Sequence, residues 1–201
     1  MKILFYDTET TGLDAKVHGI HQLAGEMMID GLVMNDFEYR IKPFEGCAID
    51  AAALEVSNTS ISDLMQYEEE NRQLFNFRCT INNWCVPHLN DRFFLAGWRV
   101  PEFDNKFLQA MFERNNAMDE FKSFFWSNPI DVKVLATQYL IDKRPEMKSF
   151  SLVSVAKYLG VEVDRLRLHN AAYDAYLCRR VYEIVTGLHI KDKKILKKRK
   201  W

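Results

Sequence analysis

Asp7 and Glu9 stand two residues apart at the end of a short apolar run, Ile3 to Tyr6. Side chains at i and i+2 of a strand leave the same face. Two carboxylates held that way repel, and each raises the pKa of the other unless a cation lies between them. Hard divalent cations such as Mg²⁺ take oxygen ligands of this kind. Asp174 adds a third carboxylate. Residues 170–186 read as a helix, and at about 100° per residue Ala171, Cys178, Val181 and Val185 fall within about 60° of Asp174. Arg179, Glu183 and Thr186 fall on the opposite side. An aspartate in the middle of an apolar face is costly unless it is paired, hydrogen-bonded or bound to a metal. His169 lies five residues before Asp174. Histidine titrates close to neutral pH, so it is read either as a general base or as an exposed loop residue. Asp104 falls in the first turn of a predicted helix, where an acid is common for dipole reasons alone. Taken together, Asp7, Glu9, Asp104, His169 and Asp174 suit phosphodiester hydrolysis with two cations about 3.5–4 Å apart, which stabilise the attacking and leaving oxygens. Four carboxylates would neutralise and fix the cations, and the histidine would take a proton from the attacking water.

These side chains need a sheet to hold them. Residues 2–7 read as a buried strand closed by the Gly12 turn. Residues 20–29 and 33–41 are β-rich, with Asp30-Gly31 as a hairpin signal between them. Residues 43–60 read as a loop with a short helical patch at Ala51 to Leu54. Residues 62–86 read as one helix ended by Pro87, with Leu74, Phe77, Ile81, Trp84 and Cys85 at helical spacing. A strand follows at 92–98, then a helix with Pro101 in its first turn. A further strand is expected within 129–134, before a helix. Ser149 is a plausible N-cap for a helix reaching Leu159 and stopped by Gly160. The order fits one mixed sheet of five strands with helices on both faces, a single α/β domain over 1–187 with a basic tail at 188–201.

Three segments resemble a known family. Phe5-Tyr6-Asp7-Thr8-Glu9-Thr10-Thr11-Gly12-Leu13 resembles the first motif of the DEDDh 3′→5′ exonucleases, of ribonuclease-H-like fold. Leu95-Ala96-Gly97 to Phe103-Asp104-Asn105-Lys106-Phe107-Leu108 resembles the second, less specifically. His169-Asn170-Ala171-Ala172-Tyr173-Asp174-Ala175 resembles the third, with its His-x4-Asp spacing. The resemblance spans about residues 2–186. It implies Mg²⁺ or Mn²⁺ as cofactor and release of nucleoside 5′-monophosphates from a 3′ end. By position, Asp7, Glu9 and Asp174 would hold one metal, Asp7 would bridge to the second, and Asp104 would complete the site through water. His169 would activate the water, and Thr8, Thr10 and Leu13 would touch the terminal nucleotide. The first motif and hairpin are closer to the proofreading group, which places single-stranded DNA ahead of RNA and points to a polymerase or replication partner. The second motif departs from the pattern. Family members often carry His-Asn or Tyr-Asn a few residues before its aspartate, and here Trp98-Arg99-Val100-Pro101-Glu102 stands there instead. Arg99 is then a candidate phosphate contact, and Trp98 either stacks on a base or packs in the core. Gln22 stands where many relatives have Glu.

Composition narrows the class. With 201 residues, 48% hydrophobic and 27% charged, the chain is that of a globular domain with a sizeable core. No apolar run approaches the ~20 residues of a membrane span, and Met1 to Asp7 is too short in its apolar part for an export signal. Cys47, Cys79, Cys85 and Cys178 form no CxxC and read as reduced thiols in a cytoplasmic protein. Cys79, Cys85 and His88 lack a fourth zinc ligand at usual spacing. The net charge of −1 hides an asymmetry. Lys191 to Trp201 carries seven Lys or Arg and one Asp, against 20 basic and 27 acidic residues elsewhere. That segment is either a solubilising terminus or a cationic arm for nucleic acid. Deleting 191–201 is expected to weaken DNA binding and flatten its salt dependence, since seven cations are lost. An unchanged slope of log affinity against log salt would make the segment a bystander. Two other functions stay open: a catalytically silent nucleic-acid-binding module, and a phosphatase whose Asp7-x-Glu9-x-Thr11 loosely resembles an Asp-x-Asp-x-Thr loop.

Overall fold

Why the chain folds as it does is clearest at β1 (Lys2–Thr10), whose two faces are both apolar. In the computed structural model, which describes residues 1–188, Leu4 and Tyr6 enter one core cluster while Ile3 and Phe5 enter another. A strand buried on both faces belongs in the middle of a sheet. It pairs antiparallel with β2 (Ile20–Ile29), which pairs antiparallel with β3 (Leu32–Lys42). Asp30 and Gly31 join β2 and β3 with φ of +52° and +86°. Two successive left-handed residues are what a tight two-residue hairpin needs.

The chain continues through α1 (Ala51–Val56), α2 (Ile61–Leu64), β4 (Glu68–Glu69) and α3 (Glu70–Asn82). Then come β5 (Phe94–Gly97), α4 (Asp104–Arg114), α5 (Met118–Phe124), β6 (Ile130–Asp131), α6 (Val132–Tyr139), α7 (Leu152–Tyr158) and α8 (Ala171–Val185). Strand order is β4-β3-β2-β1-β5-β6, with β5 parallel to β1 and β6 parallel to β5. Helices α3, α4 and α5 cover the face of Leu4 and Tyr6, where Phe77, Phe112, Phe121 and Phe125 interlock. Helices α6, α7 and α8 cover the face of Ile3 and Phe5 through Ala136, Val155, Leu177 and Val181.

Four expectations are corrected. The sheet has six strands among the described residues, because Glu68 and Glu69 pair with Ile41 and Lys42. That strand also breaks the single helix expected over 62–86: a Ser60–Asp63 capping box starts α2, and α3 begins only at Glu70. Pro101 lies in a turn, not in a helix. Arg99 adopts φ +64°, Val100 plugs into the core, and α4 starts at Asp104. The cap of α7 is Ser151, whose extended backbone lets its Oγ accept from Ser154 N, while Ser149 Oγ accepts from Ser151 N. All four cysteines are free, and no described helix is long and apolar enough to cross a membrane. All but Leu188 of the basic tail lies outside the described residues.

Candidate active site

Alternation along β1 distributes the catalytic candidates. Asp7 and Glu9 follow Ile3 and Phe5 toward α8, whereas Thr8 follows Leu4 and Tyr6 toward α4. Asp174 sits in the first turn of α8. Ligand oxygens of Asp7, Glu9 and Asp174 lie within 4.8 Å of one another. Asp104 opens α4 on the other side of the strand end. Its Oδ1 accepts from Thr8 N at 3.1 Å and Thr8 Oγ1 at 2.7 Å. Next to it, Asn105 Oδ1 accepts from Tyr6 Oη at 2.5 Å, which ties α4 to β1 a second time. The carboxylates are thus fixed by a strand and two helices rather than by loops.

His169 precedes α8 with φ +60°, a left-handed conformation that is unusual outside glycine. Its backbone N donates to Asp174 Oδ2 at 3.3 Å. Asn170 caps the helix, accepting from Tyr173 N at 3.2 Å. Gln22 is buried beneath this junction. Its Oε1 accepts from Ala171 N at 3.3 Å, and its Nε2 donates to Glu38 at 2.8 Å.

A cleft of about 290 Å³ is lined by Asp7, Thr8, Glu9, Asp104, His169 and Asp174, together with Trp98, Arg99, Glu102 and Phe103. Thr10 and Leu13 do not line it. Thr10 is buried and its Oγ1 donates to Gly12 O at 2.7 Å. Leu13 is 82% exposed and borders a larger groove of about 530 Å³ with Lys16, Phe103, Lys106 and Phe107. The turn between them is kept tight by Gly12, where a Cβ would come within 2.2 Å of the His18 ring. Trp98 borders the cleft and also packs inward, stacked on Phe150 with ring centroids 6.2 Å apart. Arg179 and Glu183, on the side of α8 opposite Asp174, are both buried. Arg179 bridges Glu26 of β2 and Glu183 in an ion-pair network.

Electrostatics define what the cluster can hold. Burial raises Asp7 well above the usual carboxylate range, and Asp104, Glu9 and Asp174 raise it further. Burial, then Asp174 and Asp104, push Glu9 up to about 8. Asp104 rises to about 6 by burial, although its bonds from Thr8 oppose the shift. Burial raises Asp174 too, against the pull of His169. Asp174 Oδ1 is buried with no hydrogen-bond partner among the protein atoms. An all-oxygen donor set that repels itself, with one buried oxygen unsatisfied, fits a hard divalent cation. Among the described residues, Cys79, Cys85 and His88 make no comparable cluster.

The shifts set a stability prediction. Glu9 titrates near 8 in the fold against 4.5 ordinarily. A raised folded pKa means stability that is full below about 4.5 and lost as pH rises through about 8. Asp7, Asp104 and Asp174 shift in the same direction. In EDTA the melting temperature should therefore fall between about pH 5 and about pH 8, and Mn²⁺ or Mg²⁺ should reverse the fall. The melting gain from cation should be larger at the higher pH. Equal gains at both would remove this cluster as the binding site.

Fold and site together define a nuclease class: a ribonuclease-H-like sheet with carboxylates and a histidine gathered at the end of its central strand. Residues 4–182 match the family model for RNase T-type exonucleases. The chain belongs to that family, the DEDDh 3′→5′ exonucleases, which are metal-dependent hydrolases of phosphodiester bonds. Over 180 residues, 90% of its length, it is 24% identical to the PolC-type DNA polymerase III of Mycoplasma pneumoniae, of which it spans 11%. The fold is similar to that of E. coli exonuclease I in complex with a dT13 oligonucleotide, with a TM-score of 0.74 at 19% identity. That alignment covers 97% of this chain and 43% of the other. A zinc-bound E. coli exonuclease I–ssDNA complex aligns with a TM-score of 0.71 at 21% identity, over 92% and 40% of the two chains. The chain thus spans less than half the length of these relatives.

Two residues at the site escape sequence reasoning. Gln22 is noticed only as a departure from relatives, and its anchoring of α8 depends on a contact 149 residues distant in sequence. Glu102 stands two residues before Asp104 and borders both the cleft and the larger groove. Its i, i+3 spacing from Arg99 is the signal that could have found it.

Proposed function

We propose that this chain removes nucleotides one at a time from the 3′ end of single-stranded or frayed DNA. The observation that carries the reading is the Asp7–Glu9–Asp174 cluster, self-repelling and with one unsatisfied oxygen, facing a cleft that His169 borders. Asp7, Glu9 and Asp174 would hold one divalent cation, Mg²⁺ or Mn²⁺, and Asp7 and Asp104 would help to hold a second. When bound, two such cations would neutralise charge on the phosphodiester and stabilise its attacking and leaving oxygens. His169 accepts a proton from the attacking water. The water oxygen bonds to phosphorus and the P–O3′ bond breaks, with a solvent proton reaching the departing oxygen. The products are a nucleoside 5′-monophosphate and a new 3′ hydroxyl. Thr8 lines the cleft and holds Asp104, and Leu13 with the adjoining groove receives the terminal nucleotide, while Thr10, buried and bonded to Gly12 O, shapes the turn that carries Leu13.

DNA leads because the relatives reported above include a DNA polymerase and an exonuclease bound to dT13. A polymerase or another replication protein is the corresponding partner. RNA is the second reading, since a single-strand groove is tolerant of sequence and sugar where stacking dominates. Parallel digestion of DNA and RNA of one sequence decides it: DNA should be consumed faster and yield 5′-monophosphates on chromatography. Faster loss of RNA would turn the assignment to an exoribonuclease. Binding without cleavage of either would favour the silent module, although no carboxylate of the set is missing.

A further inference from the structure

The turn that replaces the usual second-motif approach carries an ion pair at the mouth of the cleft. Glu102 accepts from Arg99 Nε at 2.8 Å, and Arg99 Nη2 lies 2.6 Å from the same oxygen, Oε2. Both residues line the catalytic cleft, and Glu102 also borders the neighbouring groove. The backbone beneath them is fixed. Arg99 N donates to Asp131 Oδ1 at 3.3 Å, and Arg99 O accepts from Glu102 N at 2.9 Å and Phe103 N at 3.2 Å. Arg99 also holds φ +64°, a conformation retained only where the surroundings impose it. Only the side chains are free to change partners. Lys106 and Lys133 also bear electrostatically on Glu102, so this carboxylate lies among three cations beside four acidic residues.

We propose that Glu102 is a built-in stand-in for a substrate phosphate: it occupies Arg99 in the free protein and yields it to a backbone phosphate of the entering strand. A guanidinium fork suits a carboxylate and a phosphate alike. An exposed pair holds its partners weakly and is screened by salt, so exchange for a more highly charged ligand meets little resistance. The inference rests on the exonuclease reading for the identity of the strand, and it adds a residue that competes with substrate.

The test is direct binding of a short 5′-labelled oligothymidylate, protected by a phosphorothioate at its last linkage. It uses the wild type, Glu102→Gln, Arg99→Ala and the double variant, with Mg²⁺, over a salt series. Glu102→Gln should bind about two- to fivefold more tightly, the range set by an exposed pair. Its log affinity should fall more steeply with log salt, by about one phosphate contact. Arg99→Ala should bind more weakly, and adding Glu102→Gln to it should restore little. Misfolding does not tighten binding, so the gain distinguishes competition from a structural role. Unchanged or weaker binding by Glu102→Gln overturns the proposal. So does a full gain that persists without Arg99, which would reduce Glu102 to a diffuse repulsive charge. Hydrolysis of unprotected oligonucleotide by the wild type is read separately. Its absence would sink the exonuclease reading while the binding series still decides the ion pair.

Discussion

Asp7→Asn and Asp174→Asn should each lower 3′-end hydrolysis by about a thousandfold or more, with the protein still folded. The size follows from what is removed. A cation site that supplies several kcal/mol of charge stabilisation in the transition state is worth at least about three powers of ten in rate. Asp7 is the residue on which the other three carboxylates converge electrostatically, and Asp174 contributes the unsatisfied buried oxygen. Folding should not suffer, because without a cation these groups destabilise one another at neutral pH. Removing one charge should raise the melting temperature measured in EDTA and shrink the rise produced by Mn²⁺. Loss of activity and gain of metal-free stability belong together. A variant that loses both activity and fold would argue for a structural carboxylate, and a variant that stays active would dissolve the metal assignment.

His169→Ala should cost about 10²- to 10⁴-fold in rate, the range of a lost general base. It differs from the aspartate variants in one measurable respect. The hydrogen bond from His169 to Asp174 comes from its backbone N–H, which alanine retains, and only the electrostatic pull of the ring is lost. The cation-dependent rise in melting temperature should therefore survive while turnover falls. A lost cation response would show that the ring supports the metal site. Unchanged turnover would place the proton elsewhere. His169 holds φ +60°, so His169→Gly provides a control for backbone strain: if strain alone mattered, glycine would leave activity near the wild-type level.

Much of this site is legible in the sequence because its parts are local. Asp7 and Glu9 share a face by strand alternation, and His169 and Asp174 stand at a helix start, so spacing alone places them. Asp104 is legible only through its position after a strand. Its bonds from Thr8 join elements 96 residues apart in sequence. The less legible features depend on tertiary contact. Glu68 and Glu69 carry no strand signal and pair only because Ile41 and Lys42 lie beside them. The burial of Arg179 and Glu183 has no local signal either: Arg179 bridges Glu26 of β2 and Glu183 of α8. Pro101 fits a first helical turn, yet α4 starts three residues later at Asp104 because Val100 claims a core position against Gly97. A Cβ on that glycine would meet Val100 Cγ2 at 2.4 Å. Packing there overrides the local signal.

The central claim is metal-dependent removal of nucleotides from a 3′ end. Its most direct measurement is digestion of one single-stranded DNA labelled at either its 3′ or its 5′ end, with Mg²⁺, Mn²⁺ or EDTA. Labelled mononucleotide should appear at once from the 3′-labelled strand. The 5′-labelled strand should shorten as a ladder, and EDTA should stop both. Mononucleotide released first from the 5′ label, or digestion that continues in EDTA, would contradict the account.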